Sequence, residues 1–343
     1  MQNTDSETPL PTIVTLTNRY GIVITLTNIG ASWMSCTLPL ASGRRDVVLG
    51  SPNMTKQMEQ EVYMGATVGR VANRIDKAKF SIGSENYAVS NNEGIHCLHG
   101  GKNNFSHRIW NILHLNQQQV VFSLVSPDGD QGFPGELWVE VSYELTDKNK
   151  IVIRYRYQTT KICPVNLTNH TYFNLAGEDK GESMLDHELE IHSCFYLPTN
   201  KDGIPTGEWR DVANTTFDFR HAKKIRRDFL QDEDQKTMRG YDHTFILNDL
   251  KTNRREPVAI LRSPNGDVKM NILTTMPSMQ LYTGNNLTSV EGKSQVYMPY
   301  SGVAFETQFP PNSVNHPEWG VPFSPISQAG QIYTSETCYQ FIF

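Results

Sequence analysis

The sequence predicts an all-β protein, mainly antiparallel, organised as one large sandwich with a few short helices. The first observation behind this is a strict alternation: Leu137, Val139, Val141, Tyr143 and Leu145 fall on one face, Glu140, Ser142 and Glu144 on the other, the period of a strand with one face in the core. After the polar turn Asp147-Lys148-Asn149-Lys150 the pattern resumes, with Ile151, Ile153, Tyr155 and Tyr157 set against Arg154 and Arg156, so the two runs form a hairpin. The second is the recurrence of turn signals between β-type runs, Pro127-Asp128-Gly129, Asp202-Gly203, Pro264-Asn265-Gly266 and Thr283-Gly284-Asn285. The third is the shortage of helix-compatible stretches. Residues 54–61 and 222–230 have suitable composition, but each spans only a few turns and is polar enough to lie on the surface.

In chain order, residues 12–18 and 21–28 are Thr/Val/Ile-rich runs joined at Asn18-Arg19-Tyr20-Gly21, a second hairpin. Residues 29–40 continue the β-type composition, and 46–49 read as a short strand after the Ser42-Gly43 turn. Near the end, Val303, Phe305, Thr307 and Phe309 share one face of a strand and Ala304, Glu306 and Gln308 the other. The Pro-rich loop that follows, 310–319, is of the rigid kind that frames a pocket rim. Neither a linker nor a fixed-period repeat divides the chain, which reads as one domain over 1–343.

A formal net charge of -5 and a pI near 6.1 provide no basic surplus for phosphates or an anionic membrane, so nucleic acid and membrane partners are not expected. The five cysteines, Cys36, Cys97, Cys163, Cys194 and Cys338, are odd in number, scattered and without a CxxC pair, which argues against disulfides and structural zinc. Residues 1–9 show neither a basic nor an apolar leader segment. With no apolar run of membrane-spanning length, the expected location is the cytoplasm.

The segment 165–177, Val-Asn-Leu-Thr-Asn-His-Thr-Tyr-Phe-Asn-Leu-Ala-Gly, sets His170 among amides and hydroxyls, with apolar residues on both sides. A histidine so held is either satisfied inside a polar network or poised to give a proton at neutral pH. Glu306, the one charge on its strand, is an outer-face group, an edge charge or a buried base. Residues 69–75, Gly-Arg-Val-Ala-Asn-Arg-Ile, set Arg70 and Arg74 four apart with Asn73 beside the second. Guanidinium and amide groups suit sugar hydroxyls, though surface arginine is the plain alternative. His96 and His99 flank Cys97 ahead of Gly100-Gly101, but no further group at ligand spacing supports a metal site. Asp242 in Gly-Tyr-Asp-His and Gln280 in Gln-Leu-Tyr-Thr-Gly-Asn add another acid and another amide.

With Leu-His-Gly-Gly (98–101) and Asp-Gly-Asp-Gln-Gly-Phe-Pro-Gly (128–135), these motifs resemble, in order and over almost the whole chain, those of the aldose 1-epimerase (galactose mutarotase) family. The resemblance implies a β-supersandwich that interconverts the α and β anomers of free hexoses such as galactose and glucose, without cofactor or metal. It places the general base on Glu306 and the general acid on His170, with sugar contacts at Asn73, Arg74, His99, Tyr172, Asp242 and Gln280. His96 has no counterpart in the motif and receives no role. Asn286 stands where an aromatic is common, which removes the basis for a stacking contact there. The competing expectations are a glycoside hydrolase pairing Glu306 with Asp242, a hexose-6-phosphate epimerase needing cations beyond Arg70 and Arg74, and a sugar-binding module that would tolerate loss of Glu306.

Overall fold

The computed structural model describes residues 9–247 and 255–343, and among these strands dominate. Most of the leader reading falls on residues 1–8, outside the described part. Every ladder between named strands is antiparallel. The hairpin of alternating residues opens as Leu137–Leu145 and Lys150–Thr159, paired from Leu137↔Thr159 to Leu145↔Ile151. It sits in a nine-stranded sheet whose middle is the long C-terminal strand Ile332–Ile342. The N-terminal hairpin is present as Ile13–Thr17 and Val23–Thr27.

A six-stranded sheet lies against it, in the order Tyr172–Phe173, Val303–Gln308, Ser278–Tyr282, Asp242–Ile246, Phe195–Leu197, Arg210–Asp211. Its inner face brings Phe173 to 5.0 Å from the Tyr339 ring, and the Tyr339 hydroxyl donates to the Phe305 carbonyl at 3.2 Å. Val303 and Phe305 therefore belong to the hydrophobic layer between the sheets, with Thr307 on the same face bonded to the Thr337 hydroxyl. The even-numbered side chains of Val303–Gln308, those of Ala304, Glu306 and Gln308, must then face away from that layer.

Two local expectations change. Residues 222–230 are not an α-helix: Lys223–Lys224 is a strand and Ile225–Asp228 a single 3₁₀ turn. Lys223 is drawn inward, its ammonium satisfied by Asp228 at 2.6 Å and the Thr216 carbonyl at 2.9 Å, which ties the segment to the sheet edge. The second α-helix is Glu233–Met238, capped by Asp232, which accepts the Gln235 N–H at 3.0 Å. The first is Met54–Glu59. The short strand expected over 46–49 runs instead from Gly43 to Asp46, because the Leu40↔Gly43 pairing starts the ladder directly after the turn. All five cysteines are free. Among the described residues no helix is long and apolar enough to cross a membrane.

Candidate active site

Strand register assembles the site. Gln280 pairs with Glu306 on one side and Thr244 on the other. One residue pair along the same face, Tyr282 lies between Ala304 and Asp242, and Ala304 pairs in turn with Tyr172. From these two rows Glu306, Asp242, Tyr282 and Tyr172 reach a cavity of about 630 Å³, lined also by His170, His99, Asn73 and Arg74 among others.

His170 comes from the turn after Thr168–Asn169, which pairs with Thr67–Val68. Its backbone N–H donates to Ala66 O at 2.8 Å and its carbonyl accepts from Gly65 N–H at 3.0 Å. The neighbouring Asn169 donates to the Tyr143 hydroxyl at 3.1 Å and to Gly65 O at 2.8 Å, and accepts the Thr171 N–H at 3.1 Å. The polar residues around the histidine thus hold its backbone and leave the imidazole free. His170 Nε2 lies 3.7 Å from Glu306 Oε1. His170 Nδ1 and Glu306 Oε2 are buried without a hydrogen-bond partner, the state of groups kept for a ligand rather than for the fold. Burial, with a smaller push from the Asp242 charge, raises the Glu306 carboxyl to about 8, against a weaker pull from Arg74. Burial lowers His170 to about 4.

The opposite wall belongs to Arg74–Ile75, paired with Cys97–Leu98. His99 follows, and its Nδ1 accepts the Asn73 backbone N–H at 3.1 Å. That donor fixes the tautomer, so the ring hydrogen sits on Nε2 and is offered to a ligand. Burial, chiefly, holds His99 neutral. His99, His170 and Glu306 could bring one ligand atom each to within 4.8 Å of one another, yet the locked tautomer denies a metal the Nε2 lone pair of His99. A metal-binding histidine instead needs an acceptor at its far nitrogen. The expectation of no metal therefore has a structural reason on its side.

Asn73 turns its Oδ1 to the Arg74 N–H at 2.8 Å, which leaves its amide hydrogens available. Arg74 Nη1 lies 3.7 Å from Asp242 Oδ2. Gln280 stands behind Asp242 rather than at the cavity wall: its Nε2 donates to Asp242 Oδ1 at 2.6 Å, and its Oε1 accepts from the Thr244 hydroxyl. Tyr172 faces the cavity, but its hydroxyl donates to Val62 O at 3.0 Å. Its ring forms wall while its hydroxyl pins the 60–64 segment. Arg70 is turned away altogether, donating to the carbonyls of Ser126, Pro127, Pro134 and Gly135 and to the Ser126 hydroxyl. The 310–319 loop does not line the cavity; it braces the wall through Asn312, which donates to Arg74 O at 2.9 Å and accepts the Asp76 N–H at 3.0 Å. His96 lies outside the cavity, beside Asp76 at 3.2 Å.

Tyr63 and Glu93 are the residues the sequence reading missed. The Tyr63 ring is 4.5 Å from His99 and 5.9 Å from His170, and nothing in its local sequence marks it. Glu93 grips Arg74 from 19 positions away, a pairing invisible without the fold. Tyr282 sits inside the motif that carried Gln280 and was within reach of the reading.

A histidine and a glutamate, both buried, both unpartnered and facing one cavity rich in groups that can bind hydroxyls, form a site chemically suited to proton transfer. The aldose 1-epimerase family model matches residues 12–340. Aldose 1-epimerase of Escherichia coli K12 is 41% identical over 332 residues, 96% of this chain and 95% of its own length. Galactose mutarotase of Sus scrofa is 38% identical over 299 residues, covering 86% and 84%. Among solved structures, an aldose epimerase homologue from C. elegans superposes with a TM-score of 0.88 at 26% identity, over 97% of this chain and 99% of that one. A galactose 1-epimerase from Lactobacillus acidophilus gives 0.84 at 27% identity, over 100% and 97%. The chain belongs to the aldose 1-epimerase family, and so to the isomerases.

Proposed function

We propose that this single-domain protein interconverts the α and β anomers of free aldohexoses such as D-galactose and D-glucose by acid/base opening and closing of the ring, using no cofactor or metal. The observation that carries the reading is the His170–Glu306 pair: two unpartnered, buried titratable groups 3.7 Å apart at one cavity. Ring opening requires that the C1 hydroxyl lose a proton while the ring oxygen gains one. Glu306 as carboxylate takes the first, and protonated His170 supplies the second from Nε2. The C1–O5 bond breaks, rotation about C1–C2 presents the other carbonyl face, and the reverse transfers close the ring. Asp242, Arg74, Asn73 and the Nε2–H of His99 hold the hydroxyls, and Gln280 orients Asp242.

The cycle asks the pair to exchange one proton, and its surroundings set two opposing tendencies. Burial, chiefly, favours neutral Glu306, raised to about 8, and neutral His170, lowered to about 4. Charging both at once is opposed by that burial and favoured by the attraction of the two charges across 3.7 Å. The pair can thus hold its one proton on the carboxyl, as burial favours, or on the imidazole, as the attraction between the two charges favours. Carboxylate with imidazolium suits the closed ring; carboxylic acid with imidazole suits the open aldehyde, whose carbonyl must be protonated as its hydroxyl is deprotonated.

A hexose-6-phosphate substrate is less well supported, since Arg70 is committed to backbone carbonyls and Arg74 is bound by Glu93. The test is polarimetry on freshly dissolved α-galactose and α-glucose, with reducing-end release from oligosaccharides as the control. Rotation is expected to decay faster with the protein than without it; an unchanged decay would end the proposal.

A further inference from the structure

The remaining features of the molecule point mostly to the fold. The Lys293 ammonium is spent on Met34 O, Val48 O and Asp46, and Glu178 on the hydroxyls of Ser294 and Tyr297. Glu93 is different: it stands at the edge of the sugar cavity and its carboxylate is committed to Arg74.

Its carboxylate meets Arg74 in a two-pronged contact, Oε2 to Nε at 2.6 Å and Oε1 to Nη2 at 2.8 Å. That geometry fixes the plane of a guanidinium as well as its place. The one prong left free, Nη1, is the nitrogen that lies 3.7 Å from Asp242. Gly203, at φ +74, also packs closely on the guanidinium: a Cβ there would come within 2.9 Å of Arg74 Cζ and 3.0 Å of Nη1. The Glu93 turn is itself anchored. Glu93 N–H donates to His96 O at 3.2 Å and His96 N–H to Glu93 O at 2.9 Å. Asn92 accepts the Leu98 N–H at 2.7 Å, tying the turn to the strand that leads into His99.

Arg74 needs such a holder because it has somewhere else to go. A second cavity of about 450 Å³ adjoins the first across Arg74, Glu93, Asp242 and Asn286, and its lining includes the carboxylate of Asp202. A guanidinium released from Glu93 would find both space and a competing anion there, and would leave Asp242 without its cation.

We propose that Glu93 is a positioning residue for sugar binding: it orients Arg74 so that Nη1 serves Asp242 and the ring hydroxyls. The inference rests on the anomer-exchange reading given above. Its action is on binding, felt alike by the ground state and the transition state, so the signature is a raised KM with kcat largely kept.

The experiment compares wild type, Glu93→Gln and Glu93→Ala by polarimetry on α-galactose, galactose affinity by calorimetry and thermal melting. Glu93→Ala is expected to raise KM and Kd roughly ten- to hundred-fold, with kcat within about threefold. Glu93→Gln, which keeps the volume and one acceptor, should fall between. Because the Glu93 side chain is 37% exposed, added formate should partly restore galactose affinity to Glu93→Ala, a rescue that a purely structural role does not give. KM and Kd within twofold of wild type in a folded Glu93→Ala protein overturn the inference, as does weakened affinity that formate leaves unmoved. The two proposals fail separately. A wild type that binds galactose without hastening its mutarotation removes the reaction yet leaves the binding role of Glu93 measurable.

Discussion

Replacing Glu306 with Gln removes the proposed base while keeping side-chain volume, and the structure sets opposite signs for its effects on activity and stability. A general base contributes roughly 10²- to 10⁴-fold, so kcat should fall by that factor, about 3 to 5 kcal/mol of barrier. Stability should move the other way. An acid whose folded pKa is raised contributes its full stability below its unfolded value, and that contribution is lost as pH climbs through the folded value. For Glu306 the window runs from 4.5 to about 8. At pH 7 the unfolded chain carries an ionised glutamate that the fold must neutralise, a penalty of up to about 3 kcal/mol. The amide does not carry it. Melting curves of Glu306→Gln should therefore lie above wild type at pH 8 and coincide with it near pH 4.5, while polarimetry shows the loss of rate. A variant that keeps kcat within threefold, or that melts lower than wild type at pH 8, would refute the assignment of Glu306 as a desolvated base.

The other expectations follow from the same geometry. The rate profile of kcat/KM against pH should be bell-shaped with limbs near 4 and 8: below the first the pair holds two protons and lacks a base, above the second it holds none and lacks an acid. Glu306→Gln should abolish the upper limb. Gln280→Leu frees Asp242 Oδ1 and strands the Thr244 hydroxyl; KM for galactose should rise about tenfold with kcat nearly kept, as steady-state polarimetry would show. Arg70→Met leaves several buried carbonyls without a donor and should cost about 3 kcal/mol in urea unfolding, with KM unchanged below the melting transition.

The sequence makes the strands legible where one face is apolar and the other polar, as in Leu137–Leu145, because burial writes itself there as period two. It fails where polar residues go inward: Lys223 reads as helix surface but is buried on the sheet edge. The site was legible to the extent that motifs carry it, and the limits are physical. Arg70 and Arg74 are four apart and chemically alike, yet their side chains serve opposite ends, one bonded to the 126–135 loop and one at the cavity. Gln280 and Asp242 likewise read as equals, whereas pairing across the sheet puts the amide in the next row, bonded to the acid and off the cavity lining. A residue type announces which bonds it can make; which partner takes them is decided by register and by segments distant in the chain.

That division extends to the backbone. Tyr63, Asn73 and His99 all line the cavity with φ of 56°, 60° and 52°, a left-handed conformation that costs a side chain such as Tyr or His about 1 kcal/mol or more. Glycine would relieve the strain, but each of these positions supplies a group to the site: a ring against both histidines, an amide, an Nε2–H donor. The same trade holds for Glu306 and His170, whose burial without partners weakens the fold at neutral pH. In water neither group would be shifted, the carboxyl up to about 8 or the imidazole down to about 4. The cost to the fold and the proposed capacity to pass a proton both ways across a sugar ring therefore have one cause, the removal of these two groups from solvent.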